Sequence, residues 1–357
     1  MTSLDINIVL PFLTTKPGGG TKIMYEYANR LSERGHRVIV IHSIQRPYRK
    51  IKSPVWWKQI QYRMRGLSRP RWFHLHEDVQ SLVVPSITDD YVPDADITLC
   101  TWWEMTYMIS KLSSSKGQKF NLIQDYETWK GHEDLVHASY QLPVHHLVIA
   151  DYLEKIVEKY NGERPTHIPN AVDTNRFNVR IVPEERNPHS IIMLYSEEPR
   201  KGTEYGLKAL TEVKKTFPDL HVELFGVYDH PKIESWMNYT QKSHDLAQLM
   251  NSCSIFFTPS LGEGWALPPA EAMACGCAVV CTKIGGHADY AIDGKTALLA
   301  EPKNVPDMVK KLTELLKNHE KRIQLAQQGF ENIVTQFSWE VSVNRMEDAF
   351  LHALAYR

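Results

Sequence analysis

A chain of 357 residues with 43% apolar and 23% charged residues has ordinary globular composition but exceeds what one hydrophobic core usually supports, so two domains are expected. The 41 basic and 42 acidic residues leave a formal charge of −1, which excludes a chain-wide pull toward nucleic acid. Five cysteines, with Cys275, Cys277 and Cys281 close together but no CxxC spacing, exclude a common zinc or dithiol-redox motif and fit a reducing cytosol.

In chain order, INIVLPFL (6–13) reads as a strand and PGGG (17–20) as a tight turn. TKIMYEYANRLSERGH then carries Ile23, Met24, Tyr27, Ala28 and Leu31 on one helical stripe, and VIVIH follows as a second strand. SLVVP, DITLCTW, FNLIQ and HHLVIA continue the series as short apolar runs suited to a buried parallel sheet. The polar, Pro-containing stretch 179–190 reads as a linker. After it SIIMLYS, HVELFGV, SIFFTPS and AVVCT alternate as strands with the helical patterns EYGLKALTEVKKTF, DLAQLMNSC and PPAEAMACG. Two doubly wound α/β domains in tandem are the consequence, 1–178 and 179–338, with a helical tail 339–357 crossing back to the first. No basic region precedes an apolar stretch at the start, and no run approaches the roughly 18 apolar residues of a spanning helix. The expected location is cytoplasmic.

In open parallel sheets ligands gather at the carboxyl ends of strands, so two such domains are expected to face one another across a cleft. The PGGG and EGWALPP turns both fall at such ends. Gly19 and Gly20 would let backbone approach a phosphate at the start of a helix. PGGG is not GxGxxG, which disfavours a nicotinamide dehydrogenase. Three glycines in such a place are also often only a tight turn. Glu263 and Glu271 stand eight positions apart around the turn that opens the next helix. A lone Glu there would be read as a partner of the helix dipole.

The stretch EGWALPPAEAMACG resembles the signature of the family 4 glycosyltransferases, two Glu separated by seven residues in a context such as EGFGLPPLEAMACG. The resemblance extends through the N-terminal glycine turn, IPNAVDTNRF (168–177), RKGTEYGLKAL (200–210), TKIGGHADYAIDGKTALLAEP (282–302) and FSW (337–339). It implies the GT-B architecture, two Rossmann-like doubly wound domains facing an interdomain cleft. The activity it implies is retaining transfer from a nucleotide-diphosphate sugar, of hexosyl type, with no metal and no cofactor. Glu271 would then hold the ribose hydroxyls, a task suited to an acceptor-only bidentate carboxylate, and Glu263 would face the transferred sugar. The amides of Ala266 and Leu267 would reach sugar or phosphate oxygens, with Pro268 and Tyr239 also on the donor side. Lys201 matches the family lysine that neutralises the leaving diphosphate.

The chain departs from the family in two places. Ser196 stands where relatives carry an Arg, and Arg200 is the candidate replacement, with a solvated loop charge as the bland alternative. Gln124, in FNLIQDYETW, stands where many relatives carry a His; a glutamine positions but does not exchange protons at neutral pH. QDYE is similar to a subset containing rhamnosyl and surface-polysaccharide transferases, which makes Asp125, Tyr126 and Glu127 candidate acceptor-side residues. Packing of Tyr126 and Trp129 under the sheet edge is an equal alternative. The sixteen histidines offer no HxH or HExxH, and DAD (94–96) reads as a polar turn rather than a metal motif.

Segment 47–76 combines eight Lys or Arg with Trp56, Trp57, Trp72, Phe73 and two Tyr, and holds no acid. That composition suits an anionic membrane surface. Nucleic acid or a surface helix with core aromatics would produce it too; a lipid-linked acceptor tips the reading to peripheral membrane attachment without a nucleic-acid partner. The function expected is sugar transfer to a hydroxyl of a glycan or lipid-linked acceptor in surface-polysaccharide synthesis, with UDP, GDP or dTDP and the oligomeric state left open. A GT-B epimerase, revealed by donor turnover without acceptor, and a sugar-nucleotide sensor, revealed by intact donor, are the alternatives.

Overall fold

A computed structural model describes residues 3–16, 18–48, 53–64, 67–128 and 131–355, with the side chain of Arg63 left aside. The chain divides into unit 1, Met1–Pro169 with Ser342–Arg357, and unit 2, Asn170–Val341.

In unit 1 the chain runs β1 (Asp5–Leu10), α1 (Gly19–Glu33), β2 (Arg37–Ser43), α2 (Val55–Met64), β3 (Gln80–Val84) and β4 (Ile97–Thr101). It continues α3 (Trp103–Ile109), β5 (Gln118–Ile123), α4 (Glu133–Ser139), β6 (His145–Val148), α5 (Asp151–Asn161) and β7 (Thr166–His167). The sheet order is β3-β2-β1-β4-β5-β6-β7, with every pairing parallel. β1 and β4 are buried almost throughout, as central parallel strands covered on both faces must be. The stripe Ile23, Met24, Tyr27, Ala28 and Leu31 is the buried face of α1. DAD is a stitched turn: Asp5 N donates to Asp96 Oδ2 at 2.8 Å, and Asp94 holds Lys116 Nζ at 2.7 Å.

Unit 2 repeats the plan with β8 (Ser190–Leu194), α6 (Thr203–Thr216), β9 (His221–Gly226), β10 (Asn238–Gln241), α7 (Leu246–Asn251) and β11 (Ile255–Thr258). After these come α8 (Leu267–Ala274), β12 (Ala278–Thr282), β13 (Leu298–Ala300), α9 (Val305–Lys317) and α10 (His319–Gln336). Its sheet order is β10-β9-β8-β11-β12-β13, again parallel. Each sheet therefore reverses its winding once, between β1 and β4 in unit 1 and between β8 and β11 in unit 2, where loops diverge and leave a crevice. The short strands β7, β10 and β13 were not expected; β10 reads Asn-Tyr-Thr-Gln and carries no apolar run to announce it.

The unit boundary at 169/170 precedes the expected 178/179. Residues 170–178 pack into unit 2, where Val172 N donates to Phe337 O at 2.8 Å and Phe177 is buried. Nor is 179–190 a loose linker. Arg186 is buried there and donates to the carbonyls of Ile181 (2.7 Å), Cys253 (3.1 Å) and Cys275 (2.6 Å), tying the segment to the ends of α7 and α8. Helix α11 (Trp339–Ala355) belongs to unit 1 from Ser342. Its Glu347 carboxylate takes the Arg34 guanidinium and lies 2.8 Å from His36 Nε2, and Phe350 meets Phe120 edge-on at 4.9 Å. No helix among the described residues is long and apolar enough to cross a membrane.

Candidate functional site

The two loops at the winding reversal of unit 2 carry its charged pair. After β8 the chain turns through Pro199–Lys201 to Gly202, which has φ +64°. A Cβ on Gly202 would meet Pro259 O at 2.2 Å, so only glycine lets this loop close on the loop after β11. Leu261 N donating to Arg200 O at 2.7 Å locks the approach. Lys201 Nζ thereby reaches both Glu263 oxygens, at 2.8 and 2.9 Å, with side-chain exposures of 20% for Lys201 and 8% for Glu263. Ser260 Oγ donates to Glu263 Oε1 at 2.8 Å. The backbone of Gly286 lies against Glu263, where a Cβ would stand 2.4 Å from Glu263 O.

Helix α8 starts at Leu267, ahead of the expected Pro268 or Pro269, and its N-cap is Ala266. Pro268 and Pro269 lack N–H groups, which leaves Leu267 to present the leading amide of the helix. Ala266 N does not point to a ligand as expected: it donates to Gly286 O at 3.1 Å, because the loop before β13 folds against the turn. Glu271 is buried in the second turn of α8, past the first-turn range in which the dipole attracts a carboxylate. The dipole reading of Glu271 therefore loses its physical basis.

Arg200 and Lys201 are adjacent but fare differently. The Arg200 guanidinium lies 3.6 Å from Glu198, both side chains well exposed. Ser196 Oγ sits 3.4 Å from Tyr228 Oη. The Tyr239 hydroxyl, expected on the donor side, stitches β10 to the end of β9, donating to Tyr228 O at 2.9 Å and accepting from Tyr228 N at 3.1 Å. His287 is a residue that sequence reasoning passed over. It is fully buried, its Nδ1 is 2.8 Å from Thr282 O, and burial lowers its pKa while the nearby Glu263 carboxylate raises it. The sole signal was its place after Gly285 and Gly286.

In unit 1, Gln124 at the end of β5 donates from Nε2 to Gly20 O at 3.1 Å and to Thr101 Oγ1 at 3.0 Å. It bridges the carboxyl ends of β4 and β5 to the first turn of α1, a positioning geometry. A Cβ on Gly20 would touch the Gln124 amide at 3.4 Å, whereas one on Gly19, the first residue of α1, would meet open space. Pro17 lies outside the described residues, as does Trp129. Asp125 Oδ1 accepts from Tyr126 N at 2.9 Å and from the Tyr152 hydroxyl at 3.4 Å. Tyr126 packs its ring on His137, with Oη 2.6 Å from Nε2, and burial pushes its pKa up to about 12. The packing alternative thus describes Tyr126. Glu127 Oε2 accepts from Trp103 N at 2.9 Å at the start of α3.

Segment 47–76 divides in two. Trp72 donates to Thr14 O at 3.0 Å and lies 5.8 Å from the Tyr25 ring, and Phe73 lies 5.4 Å from the same ring. Those two aromatics are packing. Trp56, Trp57 and Met64 on α2 are 61%, 45% and 81% exposed, with Ile60 between them also exposed. Arg49, Lys50, Ile51, Lys52, Arg65 and Gly66 lie outside the described residues.

Two parallel-sheet Rossmann-like units, each with one winding reversal, define the fold of the GT-B glycosyltransferases, to which solved structures similar to this chain belong. Residues 174–332, within unit 2, match the glycosyl transferases group 1 family. Over 156 residues the chain is 33% identical to an uncharacterized glycosyltransferase of Methanocaldococcus jannaschii, spanning 41% of this chain and 43% of that protein. Over 191 residues it is 28% identical to the MMP alpha-(1->4)-mannosyltransferase of Mycolicibacterium hassiacum, spanning 48% and 44%. The chain spans about half the length of the curated relatives it matches. Sucrose-phosphate synthase from Thermosynechococcus elongatus superposes with a TM-score of 0.72 at 14% identity, over 99% of this chain and 100% of that one. Anabaena HepE in complex with UDP-glucose does so with 0.73 at 14%, over 99% and 100%.

Proposed function

We propose that this protein is a retaining, metal-independent glycosyltransferase of hexosyl type that moves a sugar from a nucleotide-diphosphate sugar to a hydroxyl of a glycan or lipid-linked acceptor, in surface-polysaccharide synthesis. The observation that carries the reading is the Lys201 ammonium held on the largely covered Glu263 carboxylate at the winding reversal of the unit that matches the glycosyl transferases group 1 family. A cation fixed at that point meets charge as it develops on a departing diphosphate, where it accelerates rather than merely binds. In the free protein Glu263 keeps Lys201 in place. With donor present the diphosphate oxygens offer the ammonium a second acceptor, and Glu263 turns one oxygen to the transferred sugar. Glu271 holds the ribose hydroxyls and the Leu267 amide meets a phosphate or sugar oxygen.

Retention follows from front-face attack. The bond from the anomeric carbon to the diphosphate oxygen breaks, the acceptor oxygen bonds to the same face, and the acceptor proton passes to the leaving phosphate oxygen. Gln124 positions rather than titrates. A UDP sugar is the first donor to test, since HepE is described with UDP-glucose. Attachment to an anionic inner membrane face is part of the proposal, supported by the exposed Trp56, Trp57 and Met64 of α2 within a stretch of eight cations and no acid.

The test is a thermal-shift screen of UDP, GDP, ADP and dTDP sugars, followed by product analysis with acceptor glycans. A donor at 100 times its dissociation constant should stabilise by about 2.7 kcal/mol. Failure of every nucleotide sugar to stabilise the protein or to be consumed would overturn the reading.

A further inference from the structure

We infer that unit 1 carries a saccharide subsite built on Tyr48, which seats a neutral sugar ring of the acceptor; this rests on the transfer reading above. Tyr48 and Trp102 have φ of +61° and +76°, a region that bulky side chains avoid, and such strain persists only where the surroundings enforce it. Arg46, two residues before Tyr48, packs against Trp102. Its guanidinium lies 5.3 Å from the Trp102 ring and 5.0 Å from Phe12, and 3.3 Å from the buried Glu104 carboxylate. With the turn after β2 so pinned, Tyr48 stands 52% exposed, its ring 5.3 Å from Trp103 and edge-on to Tyr107 at 5.8 Å.

A cavity of about 630 Å³ opens beside it, lined by Tyr48, Tyr107, Gln45, Asp89, Asp90 and Lys111, a volume within the range of small-molecule clefts. The chemistry of this wall is that of a polyol site. An aromatic face takes the C–H face of a pyranose, carboxylates accept its hydroxyl protons, and an amide does both. Among the described lining residues two carboxylates stand against one ammonium, a balance that disfavours a phosphate or a uronate and suits a neutral ring. The cavity is also continuous in sequence with Gln124, read as a positioning group, and Glu127, a candidate acceptor-side residue. Gln124 bonds Thr101, which precedes Trp102, and Glu127 bonds the Trp103 amide from which the aromatic wall rises.

The experiment titrates the full chain with methyl glycosides of glucose, galactose, mannose, N-acetylglucosamine and glucuronic acid, read by saturation-transfer NMR. The variants are Tyr48→Gly, which removes the ring and suits the left-handed backbone, and Asp90→Asn. At least one neutral glycoside should bind the wild type and receive saturation from aromatic protons, and should bind each variant about tenfold more weakly or worse, the scale of one charged hydrogen bond. Thermal shifts by the nucleotide sugars should be unchanged in both variants. The subsite is overturned if no neutral glycoside binds, if Tyr48→Gly binds as the wild type does, or if glucuronide binds better than glucoside. Nucleotide sugars that fail to bind while a glycoside does would sink the transfer reading and leave the subsite standing.

Discussion

Replacing Lys201 with Met removes the ammonium that both oxygens of Glu263 face at 2.8 and 2.9 Å, while Ser260 still donates to one of them. The Glu263 side chain is 8% exposed, so little of its charge can turn to water. Removing one partner of a fully buried pair costs about 3–5 kcal/mol. Here the lysine end is one-fifth exposed, which lowers the expected cost of Lys201→Met to about 2–4 kcal/mol. Glu263→Gln costs less, about 1–2 kcal/mol, because the stranded ammonium has a path to solvent and the amide oxygen still accepts. In the double variant no buried charge remains, and its stability should return to within about 1–2 kcal/mol of wild type, a coupling of about 2–4 kcal/mol. The two units need not unfold together, so the measurement is native-state hydrogen exchange of the β8, β11 and β12 amides, which reads the opening of unit 2 directly. Turnover should behave oppositely: every variant, the stable double one included, loses on the order of 10²–10³-fold, the scale for a fixed group facing transition-state charge. A double variant no more stable than Lys201→Met would show that the contact is not an energetic pair. One that keeps turnover within about tenfold of wild type would remove Lys201 from the chemistry.

Glu271→Ala should weaken nucleotide binding by about 1.5–3 kcal/mol, and unaltered affinity in calorimetry would refute the ribose role. Arg200→Ala should keep turnover within a few-fold, because its guanidinium and the Glu198 beside it are both well exposed; a loss matching that of Lys201→Met would restore it as the replacement for the family Arg. Arg186→Met leaves the carbonyls of Ile181, Cys253 and Cys275 without this donor and should destabilise unit 2 by about 2–4 kcal/mol in the same exchange measurement, whereas a change below about 1 kcal/mol would show that the carbonyls find other donors. Wild type should sediment with anionic but not neutral liposomes at low salt, and Trp56→Ser with Trp57→Ser should abolish this while transfer to a water-soluble acceptor persists; equal binding to both lipids would strike out the membrane proposal.

The alternation of apolar runs with helical stripes was enough, by itself, to read two doubly wound domains, since burial of a central parallel strand and of one helix face are properties of consecutive residues. EGWALPPAEAMACG likewise placed Glu263 and Glu271 at a strand-to-helix turn, because a Pro pair marks a helix start locally. The tertiary structure alone decided that Lys201 meets Glu263: it arrives across a sequence separation of 62 residues because Gly202 lets two loops close at the winding reversal, while the Arg200 guanidinium lies beside Glu198. Contacts between loops likewise engaged the Ala266 amide with Gly286 and the Tyr239 hydroxyl with Tyr228. The same distinction split segment 47–76, whose composition is uniform: Trp72 and Phe73 find the Tyr25 ring, and Trp56 and Trp57 find solvent. Local periodicity specifies what an element is and which face it must bury, but the partner on the other side of that face is set by sheet order and loop closure, which join residues that no short window of sequence contains.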